Sequence, residues 1–225
     1  MKRFLPFAII ALVLLSAILL GWMLIRSQGP GAAPEAPSES SGPVVTPGAQ
    51  PPHVRGDANA PVTLEEYGDF QCPPCGLLYP ELKKIESEFG SRLRVIFRER
   101  PLMPMHANAL NAARAAEAAG LQGRFWEMHD KLYENQKAWS DLADARSVFT
   151  DYARSLGLDV DRFTSDFDGP AVETRIFLDG TRAHALGIEG TPTLYINNRP
   201  APFPAFMTVD GLRPLINNAL NGTGP

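Results

Sequence analysis

The sequence predicts an α/β fold: a βαβ unit and a later ββα unit forming one core, a helical insertion between the second and third core strands, and one transmembrane helix in front. Three observations carry this reading. Residues 4–25 run 22 positions without a charge, enough to span a hydrocarbon core of about 30 Å as a helix. Two strand-like runs, Val62–Tyr67 and Leu93–Phe97, flank a segment with helical apolar spacing. Strand signals are then absent for nearly a hundred residues and return at Thr193–Ile196.

The N-terminal stretch is preceded by Lys2 and Arg3 and followed by Arg26. The more positive flank stays in the cytoplasm, so the remainder of the chain is exported. A cleaved signal peptide stays open as the alternative. Its apolar core is shorter, about 7–15 residues, and the present length favours an uncleaved signal-anchor over residues 1–26. Residues 27–52 are rich in Pro, Gly, Ala and Ser and have no apolar periodicity; they read as a semi-extended, disordered tether. A domain at 53–225 follows, with its helical insertion at about 104–186. It is long enough to bury a core without staples.

Within the domain, Leu77, Leu78, Leu82, Ile85 and Phe89 recur at helical spacing, and Gly90 ends the run as a cap would. Further helices are expected at Ala107–Ala119, around Phe125–Leu132, around Val148–Leu156, at Asp161–Asp168 and at Arg175–Leu186. A last one runs from Val209 to Leu220 with Thr208 as its N-cap.

The net charge is −4 with no dense basic patch, which argues against nucleic acid as a partner. Cys72 and Cys75 are the only cysteines. A disulfide scaffold needs more of them, and a zinc site needs a second pair of ligands. His53, His106, His129 and His184 do not form a compact companion pair, so no metal is expected. The histidines, like Trp126 and Trp139, read as packing or helix-surface residues.

The two cysteines open the first helix of the βαβ unit. Free N–H groups and partial positive charge at a helix start stabilise a thiolate. Cys72 sits at that mouth, and Cys75, one turn in, can close a disulfide with it. This redox-active Cys72–Cys75 disulfide needs no separate cofactor. Pro73 and Pro74 suit the first helical turn but cannot donate hydrogen bonds. They are therefore read as redox-tuning residues that leave the Cys72 pKa less depressed than a His or Gly spacer would. On the strand before the pair, Glu66 shares a face with the apolar Val62 and Leu64, and burial there raises its pKa. Glu65 is the outward residue.

The run Leu64-Glu65-Glu66-Tyr67-Gly68-Asp69-Phe70-Gln71-Cys72-Pro73-Pro74-Cys75, with Gly190-Thr191-Pro192-Thr193, closely resembles the DsbA-like branch of the thioredoxin superfamily. The resemblance covers about Val54 to Ala219 and implies a thioredoxin fold with a helical insertion. It implies a cis Thr191–Pro192 bond facing the cysteines. The backbone of Gly190, Thr191 and Pro192 would pair with a substrate strand, and Thr191 would help tune the redox pair. Glu66 would relay the proton of Cys75.

The activity implied is protein-disulfide oxidation of exported cysteine-containing proteins, with reoxidation by a quinone-linked membrane oxidase. The place implied is the periplasmic side of a bacterial inner membrane. A reductase serving one exported client, as in cytochrome c maturation, and a non-catalytic tethered chaperone stay open. One departure concerns Ile196-Asn197-Asn198-Arg199, which runs into Pro200, Pro202 and Pro204. The second strand of that hairpin is expected to be short or irregular.

Overall fold

The structure, a computed structural model, describes residues 19, 22–23, 46–103 and 105–224. The chain divides into two compact units, Met1–Pro43 and Val44–Pro225. In the first, Leu19, Trp22 and Met23 are helical. The rest of the expected membrane anchor and most of the tether lie outside the described residues. Among the described residues no helix is long and apolar enough to cross a membrane.

The second unit is built on a five-stranded sheet. Its strands are β1 (His53–Gly56), β2 (Val62–Gly68), β3 (Leu93–Glu99), β4 (Thr193–Ile196) and β5 (Arg199–Pro200), in the order β1-β3-β2-β4-β5. β2 and β3 are parallel and joined by helix α1 (Pro73–Phe89); the other pairs are antiparallel. β5 has two residues and contains Pro200, which lacks a ladder N–H, as the proline run foretold. The short β1 carries too little periodicity to be read as a strand from the sequence, and it pairs with β3.

Between β3 and β4 the described residues form six helices: α2 (Ala109–Gly120), α3 (Phe125–Glu134), α4 (Gln136–Trp139), α5 (Arg146–Ser155), α6 (Val160–Phe167) and α7 (Pro170–Ala185). The insertion therefore falls between the core strands expected. α7 starts five residues before Arg175, because Gly169 is the N-cap and Pro170 takes the first helical position. The last helix, α8 (Val209–Leu220), opens on Thr208, whose hydroxyl accepts from the Gly211 N–H at 3.2 Å.

Both faces of the sheet are covered, as in other sheets with parallel central strands. On one face Val62, Leu64, Val95, Leu194 and Ile196 pack against Leu78, Leu82 and Ile85 of α1 and Leu212 and Ile216 of α8. On the other, Tyr67 packs with Ala183 of α7 and with Ile188. The insertion packs in a second core that also takes in Phe70, Cys75 and Phe97, where six buried alanines of α2 allow close approach of Phe125, Met128, Phe149 and Phe163.

Three expectations are corrected. Glu65 does point away from α1, but it is only 6% exposed. α7 covers that face, and Arg98 Nε (2.8 Å) and Arg182 Nη2 (3.0 Å) bind its carboxylate. Leu77 is 69% exposed; a narrow helical stripe built on Leu78, Leu82, Ile85 and Phe89 leaves its neighbour outside. The tether is packed at its C-terminal end. Ala49 is fully buried, its N–H donates to Asp179 Oδ1 at 2.7 Å, and its carbonyl accepts from Arg98 Nη1 at 2.8 Å. A Pro-rich composition does not reveal these partners, which lie 49 or more positions away.

Candidate active site

Cys72 is the N-cap of α1, with φ −65° and ψ 120°, and Pro73 and Pro74 occupy the first turn. Both cysteines are free thiols. Cys72 is 5% exposed and Cys75 is fully buried beneath it. The Thr191–Pro192 bond is cis, and the loop brings the Thr191 carbonyl to 3.3 Å from Cys72 Sγ, which donates to it as a thiol. The Thr191 hydroxyl is buried without a hydrogen-bond partner.

The Cys72 pKa is lowered from 9.0 to about 6, first by the Cys75 thiol that donates to it, then by the Thr191 hydroxyl and the Cys75 N–H; burial opposes. Pro73 and Pro74 do remove two donors, but the donors that matter come from Cys75 and Thr191. The Cys75 pKa is raised well above its ordinary value, because burial and the neighbouring Cys72 and Glu66 charges all disfavour a second thiolate. The pair is thus polarised: one sulfur is a ready nucleophile and leaving group, the other a held thiol.

Glu66 is 3% exposed on the α1 face, and its pKa is raised to about 8. Desolvation is the largest cause, with the Glu86 and Cys72 charges adding to it and Arg55 opposing. Gly190 is exposed at the start of the cis-proline loop, where its carbonyl accepts from the Thr193 hydroxyl at 2.9 Å.

The redox loop is held by residues that sequence reasoning did not single out. Gln136 Nε2 donates to the carbonyls of Phe70 (2.7 Å) and Cys72 (2.9 Å). A Cβ on Gly76 would stand 2.3 Å from the Gln136 Oε1, so glycine there makes room for this amide. Asp69 Oδ1 accepts from the Gln71 N–H at 2.8 Å, an Asx turn. Its Oδ2 accepts from the Leu102 N–H and stands 2.7 Å from His106 Nδ1. Gln71 in turn reaches the Asn108 N–H and the Ser140 carbonyl. The Asx turn was legible as an Asp directly after a strand; Gln136, Asn108 and Ser140 are 37 to 69 positions away and carry no local signal.

His129, by contrast, packs as expected. It lies among Phe70, Phe97, Tyr79 and Tyr133, and Trp139 is wholly buried. Beside the pair a cleft of about 590 Å³ is lined by Pro73, Gly76, Leu77, Tyr133 and Gln136, among others.

Residues 49–218 match the family model described as thioredoxin. The chain therefore belongs to the thioredoxin family. BdbD from Bacillus subtilis superposes with a TM-score of 0.70 at 24% identity, over 79% of this chain and 97% of that one. A thioredoxin-like oxidoreductase from Silicibacter pomeroyi gives 0.62 at 26% identity, over 76% and 91%. Wolbachia pipientis alpha-DsbA1 gives 0.67 at 20% identity, over 77% and 93%.

The curated relatives bear another name. A Na(+)/H(+) antiporter NhaA 1 from Salinispora arenicola is 39% identical over 171 residues, 76% of this chain and 25% of that protein. One from Mycolicibacterium gilvum is 40% identical over 151 residues, 65% of this chain and 23% of that protein. The chain thus spans about a quarter of the length of these relatives.

Proposed function

We propose that the chain is a protein-disulfide oxidoreductase that donates its Cys72–Cys75 disulfide to cysteines of exported proteins. A client thiolate attacks Cys72, the mixed disulfide forms, and Cys75 leaves as a sulfur that Glu66 protonates. A second client thiolate then releases Cys72 as a stabilised thiolate. The polarised cysteine pair carries this reading: a Cys72 thiolate favoured by its neighbours is a good leaving group, and that drives oxidation of the client.

Gly190, Thr191 and Pro192 offer the edge along which an extended client segment lies, and the cleft beside Leu77 takes an apolar side chain. Residues 1–26 anchor the protein in a bacterial inner membrane with the redox domain on the periplasmic side, and a quinone-linked membrane oxidase restores the disulfide. The membrane-transporter name of its longer relatives suits a redox module that works at a membrane.

The test is the reduction potential of the pair in a glutathione buffer, with turnover of a reduced two-cysteine peptide. An oxidising potential with peptide oxidation lost in Cys72→Ser supports the oxidase. A potential as negative as thioredoxin's, about −270 mV, turns the assignment to a reductase.

A further inference from the structure

Asp69 joins the end of β2 to the redox loop, and its side chain is wholly buried. A carboxylate in that position needs donors, because a buried charge without them is very costly. Oδ1 accepts the Gln71 N–H at 2.8 Å, and Oδ2 accepts the Leu102 N–H at 2.9 Å. A side chain makes the third contact: His106 Nδ1 lies 2.7 Å from Oδ2. Both oxygens already accept N–H bonds, so the carboxylate is the acceptor here too and Nδ1 carries the proton. So short a distance is that of a charge-assisted hydrogen bond.

The sequence marks His106 only as a packing or helix-surface residue. The main chain brings it to Asp69 by a turn at Leu102, whose carbonyl accepts the N–H groups of Met105 (2.8 Å) and His106 (3.0 Å). The His106 carbonyl in turn accepts the Ala109 N–H at 3.2 Å, where α2 begins. What Asp69 holds is the approach to the redox pair. Its carboxylate closes the Asx turn on Gln71, and its carbonyl accepts the Cys72 N–H at 3.0 Å. A continuous run of hydrogen bonds therefore leads from His106 through Asp69 to the main chain of Cys72. The same carboxylate also acts on the sulfur by its charge. The Cys75 thiol favours the Cys72 thiolate, while burial and the Asp69 charge oppose it.

We infer that His106 is a positioning residue of the redox centre: its Nδ1–H fixes the Asp69 carboxylate and takes up part of its negative charge, so that the Cys72 thiolate can form beside it. This deepens the function proposed above and rests on its reading of Cys72 and Cys75 as a redox couple. Without the His106 donor, Asp69 keeps two N–H partners and more of its charge, and the turn leading to Cys72 is less firmly set. The reduced form, which carries the thiolate, is then disfavoured, and the disulfide becomes a weaker oxidant.

The experiment compares the full-length parent with His106→Leu and His106→Asn. Each is equilibrated with glutathione at neutral pH and titrated by thiolate absorbance, with circular dichroism as a fold control. Asn carries its Nδ2 where His carries Nδ1, so it keeps the donor; Leu has the same branching and no donor. In His106→Leu the Cys72 pKa rises and the glutathione equilibrium moves toward the protein disulfide by roughly three- to tenfold. His106→Asn brings both most of the way back. A folded His106→Leu that matches the parent overturns the proposal, as does a His106→Asn displaced as far as His106→Leu. If His106→Leu does not fold, nitrogen NMR of the histidine-labelled parent decides. A protonated His106 Nδ1 whose signal moves between the oxidised and reduced forms supports the proposal; an unprotonated Nδ1, or a signal indifferent to redox state, overturns it. The parent's own potential tests the oxidase reading and the differences between variants test His106, so the two can fail separately.

Discussion

The sulfur of Cys72 lies 3.3 Å from the carbonyl oxygen of Thr191, a residue 119 positions away that precedes the cis-proline. That contact holds the thiol form, since a carbonyl accepts and a thiolate cannot donate. On ionisation Cys72 depends on the Cys75 thiol, the Thr191 hydroxyl and the Cys75 N–H. Thr191 thus offers an acceptor for one protonation state and a donor for the other.

Replacing that hydroxyl should be visible at once. Thr191→Val keeps the shape and removes the donor, and the Cys72 pKa is expected to rise by about one unit, equivalent to ~1.4 kcal/mol. Thiolate absorbance against pH measures it. A pKa that stays where it was shows that the hydroxyl does not serve the thiolate.

Glu66 gives the protein a pH-dependent stability. The folded-state pKa is raised from 4.5 to about 8, so the folded chain retains a proton that the unfolded chain has lost. Stability from this group is full below about pH 4.5 and is lost as pH rises through about 8. Glu66→Gln should match the parent near pH 4 and exceed it at pH 9 by on the order of 4–5 kcal/mol. Urea unfolding at the two pH values tests this; equal stability at both contradicts the buried neutral acid.

Gln136 holds the redox loop by two hydrogen bonds from one amide. Gln136→Leu leaves the Phe70 and Cys72 carbonyls without that donor, at a cost of about 1–2 kcal/mol. The Gly76 N–H, which donates to the Cys72 carbonyl at 3.1 Å, should exchange with solvent faster. Unaltered exchange at Gly76 means that the loop is held by other contacts.

Arg98 is 4% exposed and binds both Glu65 and Asp179. Arg98→Met takes the shared cation from two buried carboxylates, leaving Glu65 with Arg182 and Asp179 with the Ala49 and Glu99 N–H groups, and a loss of about 3–5 kcal/mol is expected from the urea midpoint. Arg213, exposed and paired with Glu88, is the control: Arg213→Ala should leave the midpoint unmoved. Similar midpoints for the two variants would show that the Arg98 network is structurally dispensable.

What the sequence made legible follows the range of the forces involved. Strand alternation at Val62–Tyr67 and the helix of Leu78, Leu82 and Ile85 are local, and so is the placing of Cys72 at a helix start. The cis Thr191–Pro192 bond and the inward Glu66 came through family resemblance combined with strand parity. The partners of Glu65 were hidden because parity gives a face but not what covers it; that required knowing that α7, which carries Arg182, lies over Arg98. The docking of Ala49 was hidden for the same reason, since polar partners on distant elements leave no mark on composition. Asp69 stands between these cases: its Asx turn is local, its contacts with Leu102 and His106 are not.

The residues that grip the redox loop come almost wholly from between β3 and β4: Leu102, His106, Asn108, Gln136 and Ser140. The core supplies the cysteines, but a separate block of chain sets how firmly they are presented. Such a block is a natural unit of exchange. Grafted onto another core of this architecture it would carry the grip with it, and removed from this one it would leave a chemically complete but slack dithiol. Two proteins could then share cysteines, spacer and proline loop and still differ in redox behaviour, with the difference written in helices that carry neither cysteine.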